Sequence, residues 1–222
     1  MTLISFNING IRARLHQLQA VIDKYQPALI GLQETKVHDP EFPEQAVRDM
    51  GYHPYYFGQK GHYGVALITR EPLESVQYGF PTDEEDAQRR MIIGTLKHSD
   101  GSLITVLNGY FPQGENREHP TKFPAKKKFY EDLQHYLINH HQPSDQVAVM
   151  GDFNISSTDL DIGLGLLHEA FRQLPNDLPV RVLPPQTIGA SREHLRFAGT
   201  LSLDPELIGE LIHQQGTALA PS

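Results

Sequence analysis

The chain opens with an apolar run, an amphipathic helix and a second apolar run. This triplet constrains the fold more than any other feature of the sequence. Leu3 to Ile8 is short and apolar and ends in Asn7-Ile8-Asn9-Gly10, as a buried strand does where it meets a turn. Leu15, Leu18, Val21, Ile22 and Tyr25 then recur at helical spacing. Pro27 ends that helix, because its ring bars the preceding residue from helical backbone. Ala28 to Gln33 is a second strand. Two strands joined through a helix pair in parallel as a crossover unit, so the spacing predicts an α/β fold.

The same alternation continues downstream. Gly64 to Thr69, Met91 to Leu96 and Leu103 to Asn108 read as strands, and Phe123 to His141 as a helix with Phe129, Leu133, Tyr136 and Leu137 on one face. Val147 to Met150 is a further buried strand, running into Gly151-Asp152-Phe153-Asn154. Most polar residues of interest thus follow the C-terminal end of a strand, the edge where open α/β sheets gather their active-site groups. After Gly163 the character changes. All eight lysines precede position 129, and residues 164–222 form a leucine-rich tail without lysine. Leu164 to Leu174 and Pro205 to Gln215 read as helices within it.

Composition narrows the chemistry. There is no cysteine, so a metal here needs oxygen or imidazole ligands. The net charge of −8 argues against a protein that coats nucleic acid non-specifically, and leaves room for locally basic patches. The longest apolar stretches are too short to span a bilayer, and no secretory signal is visible. A cytoplasmic protein with no membrane partner is expected.

Several residues could carry chemistry, each with a plainer reading beside it. Glu34 stands at the end of an apolar strand, where a carboxylate needs a cation or donor; a metal ion or a salt bridge with Lys36 would serve. Asp152 and Asn154 lie two apart, on the same side if the strand continues, where they could orient a water and hold a phosphoryl oxygen. Gly, Asp and Asn also make turns. Asn7 and Asn9 could ligate a hard cation or cap a turn. Tyr110 could donate to a phosphate or simply pack. Arg89-Arg90 and Lys126-Lys127-Lys128 are local positive clusters, fit for phosphate or for a solvated face.

Taken in order, FNING (6–10), GLQETKV (31–37), GQKGHYGVA (58–66), AQRR (87–90), NGYFPQGE (108–115), KFPAK (122–126), MGDFNI (150–155) and TDLDIG (158–163) resemble the exonuclease III type of the endonuclease/exonuclease/phosphatase superfamily. The resemblance covers about residues 1–163 and leaves 164–222 unassigned. It implies a two-sheet α/β sandwich whose second half is truncated or replaced. It implies a monomeric DNA-repair nuclease that hydrolyses duplex DNA 5′ to abasic sites and at 3′ ends with Mg²⁺, or Mn²⁺ in its place. By matching position, Glu34 would be the main metal ligand with Asn7 close by. Asp152 would activate the attacking water, Asn154 would hold the scissile phosphate, and Tyr110 would contact the phosphate or leaving oxygen. Arg89, Arg90 and Lys126 would touch the DNA backbone.

The family's second half carries an Asp-His pair and an aromatic, often Trp, pocket wall. This chain has no Trp and no Asp-His dipeptide; Glu193-His194 is the nearest imitation, and His168 and His213 are the other tail histidines. Two expectations follow. Beside the active nuclease stand two alternatives, a catalytically impaired or inactive remnant and another phosphoesterase of the superfamily, the latter opposed by GQKGHYGVA and NGYFPQGE; and the face of the first sheet that normally meets the second is left open or covered by the leucine-rich tail.

Overall fold

The computed structural model describes residues 1–98, 100–155, 180–182 and 199–201. The helices expected at Leu164 to Leu174 and Pro205 to Gln215, and His168, Glu193, His194 and His213, lie outside these residues.

The opening triplet folds as its spacing predicts. Strand β1 (Leu3–Asn7), helix α1 (Leu15–Tyr25) and strand β2 (Leu29–Gln33) form a crossover, with β1 and β2 parallel and Asn7 opposite Gln33. Gln26 closes α1 in the left-handed conformation, just before Pro27. Helix α2 (Glu44–Asp49), strand β3 (His53–Phe57) and strand β4 (Val65–Thr69) complete the first sheet, ordered β1-β2-β4-β3. Strands β5 (Ser75–Tyr78), β6 (Met91–Lys97), β7 (Leu103–Tyr110) and β8 (Val147–Asp152) form a second sheet in that order, with β7 and β8 parallel. Helix α3 (Lys122–His140) is the crossover between them. Strands β9 (Val180–Val182) and β10 (Gly199–Leu201) make a small antiparallel pair.

Period-two alternation assigns each strand residue to a layer. Leu29, Val65, Leu67, Ile92, Leu96, Val106, Ala148 and Met150 form the core between the sheets. Ile30, Leu32, Ala66 and Ile68 face the other way, against Leu18, Val21 and Ile22 of α1 and Val47 of α2. Met91, Ile93, Leu107 and Val149 meet Leu133, Tyr136 and Leu137 of α3. The result is four layers, helix on sheet on sheet on helix. Strands covered on both faces read as continuous apolar runs.

This corrects the expectation of an open first sheet. The inner face of β1–β4 is covered by β5–β8, and both sheets lie within residues 3–152. Five elements escaped the sequence, the short strands β9 and β10 among them. Strand β3 contains Pro54, tolerated because β3 is an edge strand; β5 is an edge strand with exposed ends; α2 is only six residues long. Strands β7 and β8 also run two residues further than their apolar pattern, to Tyr110 and Asp152.

Candidate active site

Four strand ends converge at one rim of the sandwich. β1 delivers Asn7, β2 leads into Glu34, and the parallel pair β7 and β8 delivers Tyr110 opposite Asp152. Gly151 makes the last juxtaposition possible. Its φ is +144°, and a Cβ there would stand 1.9 Å from the Gly109 carbonyl oxygen, so only glycine lets the two backbones approach.

Asn7 lies at the centre and is buried. Its Nδ2 donates to Glu34 Oε1 at 2.8 Å and to Asp152 Oδ2 at 2.9 Å, so one amide ties the two carboxylates together. Its Oδ1 accepts the Asn9 N–H at 3.1 Å. The surrounding backbone is laced. Ile8, Gly10 and Ile11 N–H groups donate to the carbonyls of Gln33, Glu34 and Thr35, while Thr35 and Lys36 donate to Gly64 and Tyr63. The lacing holds Asn9, Glu34, Lys36 and Tyr63 at positive φ, between 49° and 54°. Such conformations are strained for non-glycine residues and persist where the surroundings over-determine them.

The site is charged but internally compensated. Lys36 Nζ lies 2.8 Å from Glu34 Oε2, so the plain salt-bridge reading of Glu34 holds in this structure. Burial alone would raise the Glu34 pKa. Hydrogen bonds from Lys36 and Asn7, the Lys36 charge and a hydrogen bond from Tyr110 outweigh it and hold the carboxyl below its ordinary range. Tyr110 is shifted the other way: burial first, then the Glu34 carboxylate, push its hydroxyl well above the ordinary tyrosine range. It is therefore a neutral donor. Arg90 lies over the rings of Tyr63 and Tyr110, at 4.1 and 4.8 Å, and donates to the Tyr110 carbonyl at 3.0 Å.

Asn154 departs from the extended reading. Its φ is +51°, its N–H donates to Asp152 Oδ1 at 3.2 Å, and its Nδ2 donates to the Phe111 carbonyl at 2.8 Å. The segment is a turn in which Asp152 caps its own loop, so the two side chains do not share a strand face. Lys126 Nζ donates to the Asn154 carbonyl at 2.9 Å, and burial lowers its pKa. Arg89 is engaged with Asp39 Oδ2 at 2.6 Å and the Gly58 carbonyl at 2.7 Å, beneath the Phe57 ring. Asn7, Glu34, Tyr110, Asp152 and Arg90 thus come together, with Asn154 and Lys126 on the adjoining turn and Arg89 bracing the neighbouring loop. Tyr63 carried no role from sequence, although it stands in the quoted GQKGHYGVA segment.

The donor set suits a hard cation. The Glu34 and Asp152 carboxylates are oxygen ligands and no thiol competes, while Asn7 turns its Nδ2 to both carboxylates and its oxygen to the Asn9 N–H. Among the described residues no group of three or more His, Asp or Glu is arranged as a metal cage. That is compatible with magnesium, which takes one or two carboxylates and leaves its remaining positions to water and phosphate.

A family model described as the Endonuclease/Exonuclease/phosphatase family matches residues 4–192, past Gly163, where the quoted motifs stop. Exodeoxyribonuclease III of Haemophilus influenzae is 59% identical over 165 residues, covering 74% of this chain and 61% of that protein. The chain therefore spans about three-fifths of that relative's length. An AP endonuclease from Archaeoglobus fulgidus superposes with a TM-score of 0.65 at 33% identity, over 72% of this chain and 60% of that one. A 3′ phosphatase from Neisseria, solved with a product DNA hairpin, gives 0.63 at 31%, over 71% and 60%.

Proposed function

The chain belongs to the endonuclease/exonuclease/phosphatase family, and on that footing we propose that it is an exonuclease III-type DNA-repair nuclease. It hydrolyses phosphodiester bonds of duplex DNA on the 5′ side of abasic sites and at 3′ ends, with Mg²⁺ bound by Glu34 beside Asn7. Mn²⁺ serves as a substitute. The chain works as a cytoplasmic monomer, with residues 1–163 as the N-terminal part of the nuclease domain.

One observation carries this reading: a single amide, Asn7 Nδ2, holds the Glu34 and Asp152 carboxylates at 2.8 and 2.9 Å. Hydrolysis needs an oriented water and stabilisation of developing negative charge at one point. Asp152 accepts the proton of the attacking water. Tyr110, kept neutral by burial and by Glu34, donates a hydrogen bond to a phosphate oxygen. Asn154 steadies the phosphate from the turn after β8. Bound Mg²⁺ supplies Lewis acidity against the charge developing on the phosphate. Arg90 and Lys126 border the strand ends, and their charge favours a polyanion locally on a chain of net charge −8; Arg89 contacts the DNA backbone from the neighbouring loop, where it is also paired with Asp39.

A second reading is impaired turnover, since the sequence has no Trp and no Asp-His pair. One assay separates the two: incision of a duplex oligonucleotide carrying a single abasic site, with Mg²⁺ and with chelator, beside Glu34→Ala and Asp152→Ala. Cutting that is lost with chelator and in both variants supports the nuclease. A folded chain that does not cut overturns it in favour of the impaired reading.

A further inference from the structure

Below the site, in a mainly apolar core, two amides meet. Gln33 and Asn108 are both fully buried. Gln33 Nε2 donates to Asn108 Oδ1 at 2.6 Å, and also to the Gly31 carbonyl at 3.0 Å and Ser5 Oγ at 3.1 Å. Asn108 Nδ2 crosses from the second sheet to the first, donating to the carbonyls of Leu32 at 2.9 Å and Ala66 at 3.1 Å. The amide orientations are forced: only an N–H₂ can face two carbonyls, so Asn108 turns its oxygen to Gln33, which must answer with its own nitrogen. Gly31 makes the room, since a Cβ there would stand 2.6 Å from Asn108 Oδ1.

We infer that the Gln33–Asn108 pair is a positioning device that fixes the offset between the two halves of the site; the inference rests on the reading of that site as the hydrolytic centre. Gln33 immediately precedes Glu34 and stands opposite Asn7. Asn108 is two residues before Tyr110 and stands opposite Met150, which is two before Asp152. The clasp thus joins the strand pair that carries Asn7 and Glu34 to the pair that carries Tyr110 and Asp152. Apolar contact between sheets is non-directional and tolerates sliding, whereas these bonds have one geometry. Asn7 can reach both carboxylates only while the offset is kept.

The test replaces both partners by apolar groups of similar shape, Gln33→Met with Asn108→Leu, a change that leaves no amide seeking the other. Three quantities are read: the melting temperature, the Asn7 side-chain amide resonances by NMR, and kcat and KM for abasic-site incision. The expected result is a folded protein in which the Asn7 resonances move towards those of a solvated amide. With them, kcat falls about tenfold to a hundredfold while KM is nearly unchanged. A folded variant with unaltered Asn7 resonances and kcat overturns the inference and leaves the clasp a packing feature. If the parent chain itself does not incise, the proposed function fails, and the Asn7 resonances alone decide the clasp. If the double variant does not fold, Gln33→Asn, which keeps the amide but shortens its reach, is read in the same way. Unmoved Asn7 resonances there likewise overturn the inference.

Discussion

The Lys36 ammonium lies 2.8 Å from Glu34 Oε2, so the carboxylate at the end of β2 has a protein cation of its own. Glu34 is held below its ordinary pKa: burial opposes this, and Lys36, Asn7 and Tyr110 overcome it. A carboxyl that titrates lower when folded contributes stability that is complete above the unfolded value of 4.5 and is lost as pH falls through the folded value. Lys36→Met is therefore less stable in urea melts near neutrality, by at most about 1 kcal/mol for a partly exposed pair. The gap closes in acid, where Glu34 is protonated in both proteins. A gap that persists there would show that Lys36 acts through packing instead.

Gly151 is the tightest backbone contact of the site. With φ at +144° and a Cβ position 1.9 Å from the Gly109 carbonyl oxygen, an alanine meets both strain and rigid backbone. Gly151→Ala is expected to lose about 3 kcal/mol or more. Gly101→Ala is the control, because its φ is +86° yet nothing lies within 4 Å of its Cβ position; the difference between the two in denaturant melts isolates the clash.

Arg90 tests whether planarity or charge matters beside Tyr110. Its guanidinium lies 4.1 Å from the Tyr63 ring centre and 4.8 Å from that of Tyr110, while donating to the Tyr110 carbonyl. Lysine keeps the charge but cannot stack as a plane and donate sideways together. Arg90→Lys is expected to lower kcat for incision about tenfold, close to Arg90→Met. Full turnover in the lysine variant would mean that positive charge alone suffices.

The sequence makes the carboxylates of this site legible and hides what holds them. Glu34 and Asp152 each interrupt or end an apolar run, and the cost of burying an unpartnered charge flags them without a structure. Asn7 is visible because a polar amide ends the first apolar run, but its service to two carboxylates is not, since residues 7, 34 and 152 meet only through tertiary folding. Asn108 looks like the end of a strand, because an amide in the core is unexpected until its partner Gln33, 75 positions away, is known. Asn154 breaks the alternation that was to align it with Asp152, because the local turn wins over strand continuation. The layers follow from alternating apolar residues, whereas β3 and β5 are edge strands whose half-exposed residues blur that pattern.

One contact remote from the site should shape both limbs of the pH–stability curve. The Tyr56 hydroxyl donates to Glu44 Oε2 at 2.7 Å, and its ring stacks on Phe42 at 4.0 Å. That hydrogen bond, with burial and the charges of Glu44 and Asp39, pushes the Tyr56 pKa from 10.0 up to about 12. The same bond, with Arg48, lowers Glu44. A phenol that holds its proton more tightly when folded contributes stability that is complete below pH 10 and lost as pH rises towards about 12. The depressed Glu44 contributes above 4.5, and that contribution is lost in acid. Tyr56→Phe keeps the stacked ring and removes the hydroxyl, so it should flatten both limbs of the urea-midpoint profile. The sequence has no Trp, so tyrosinate absorbance is read without overlap, and the variant should lose a late-titrating tyrosine. Profiles and absorbance titrations that superimpose on those of the parent would show that the bond does not bear on folding.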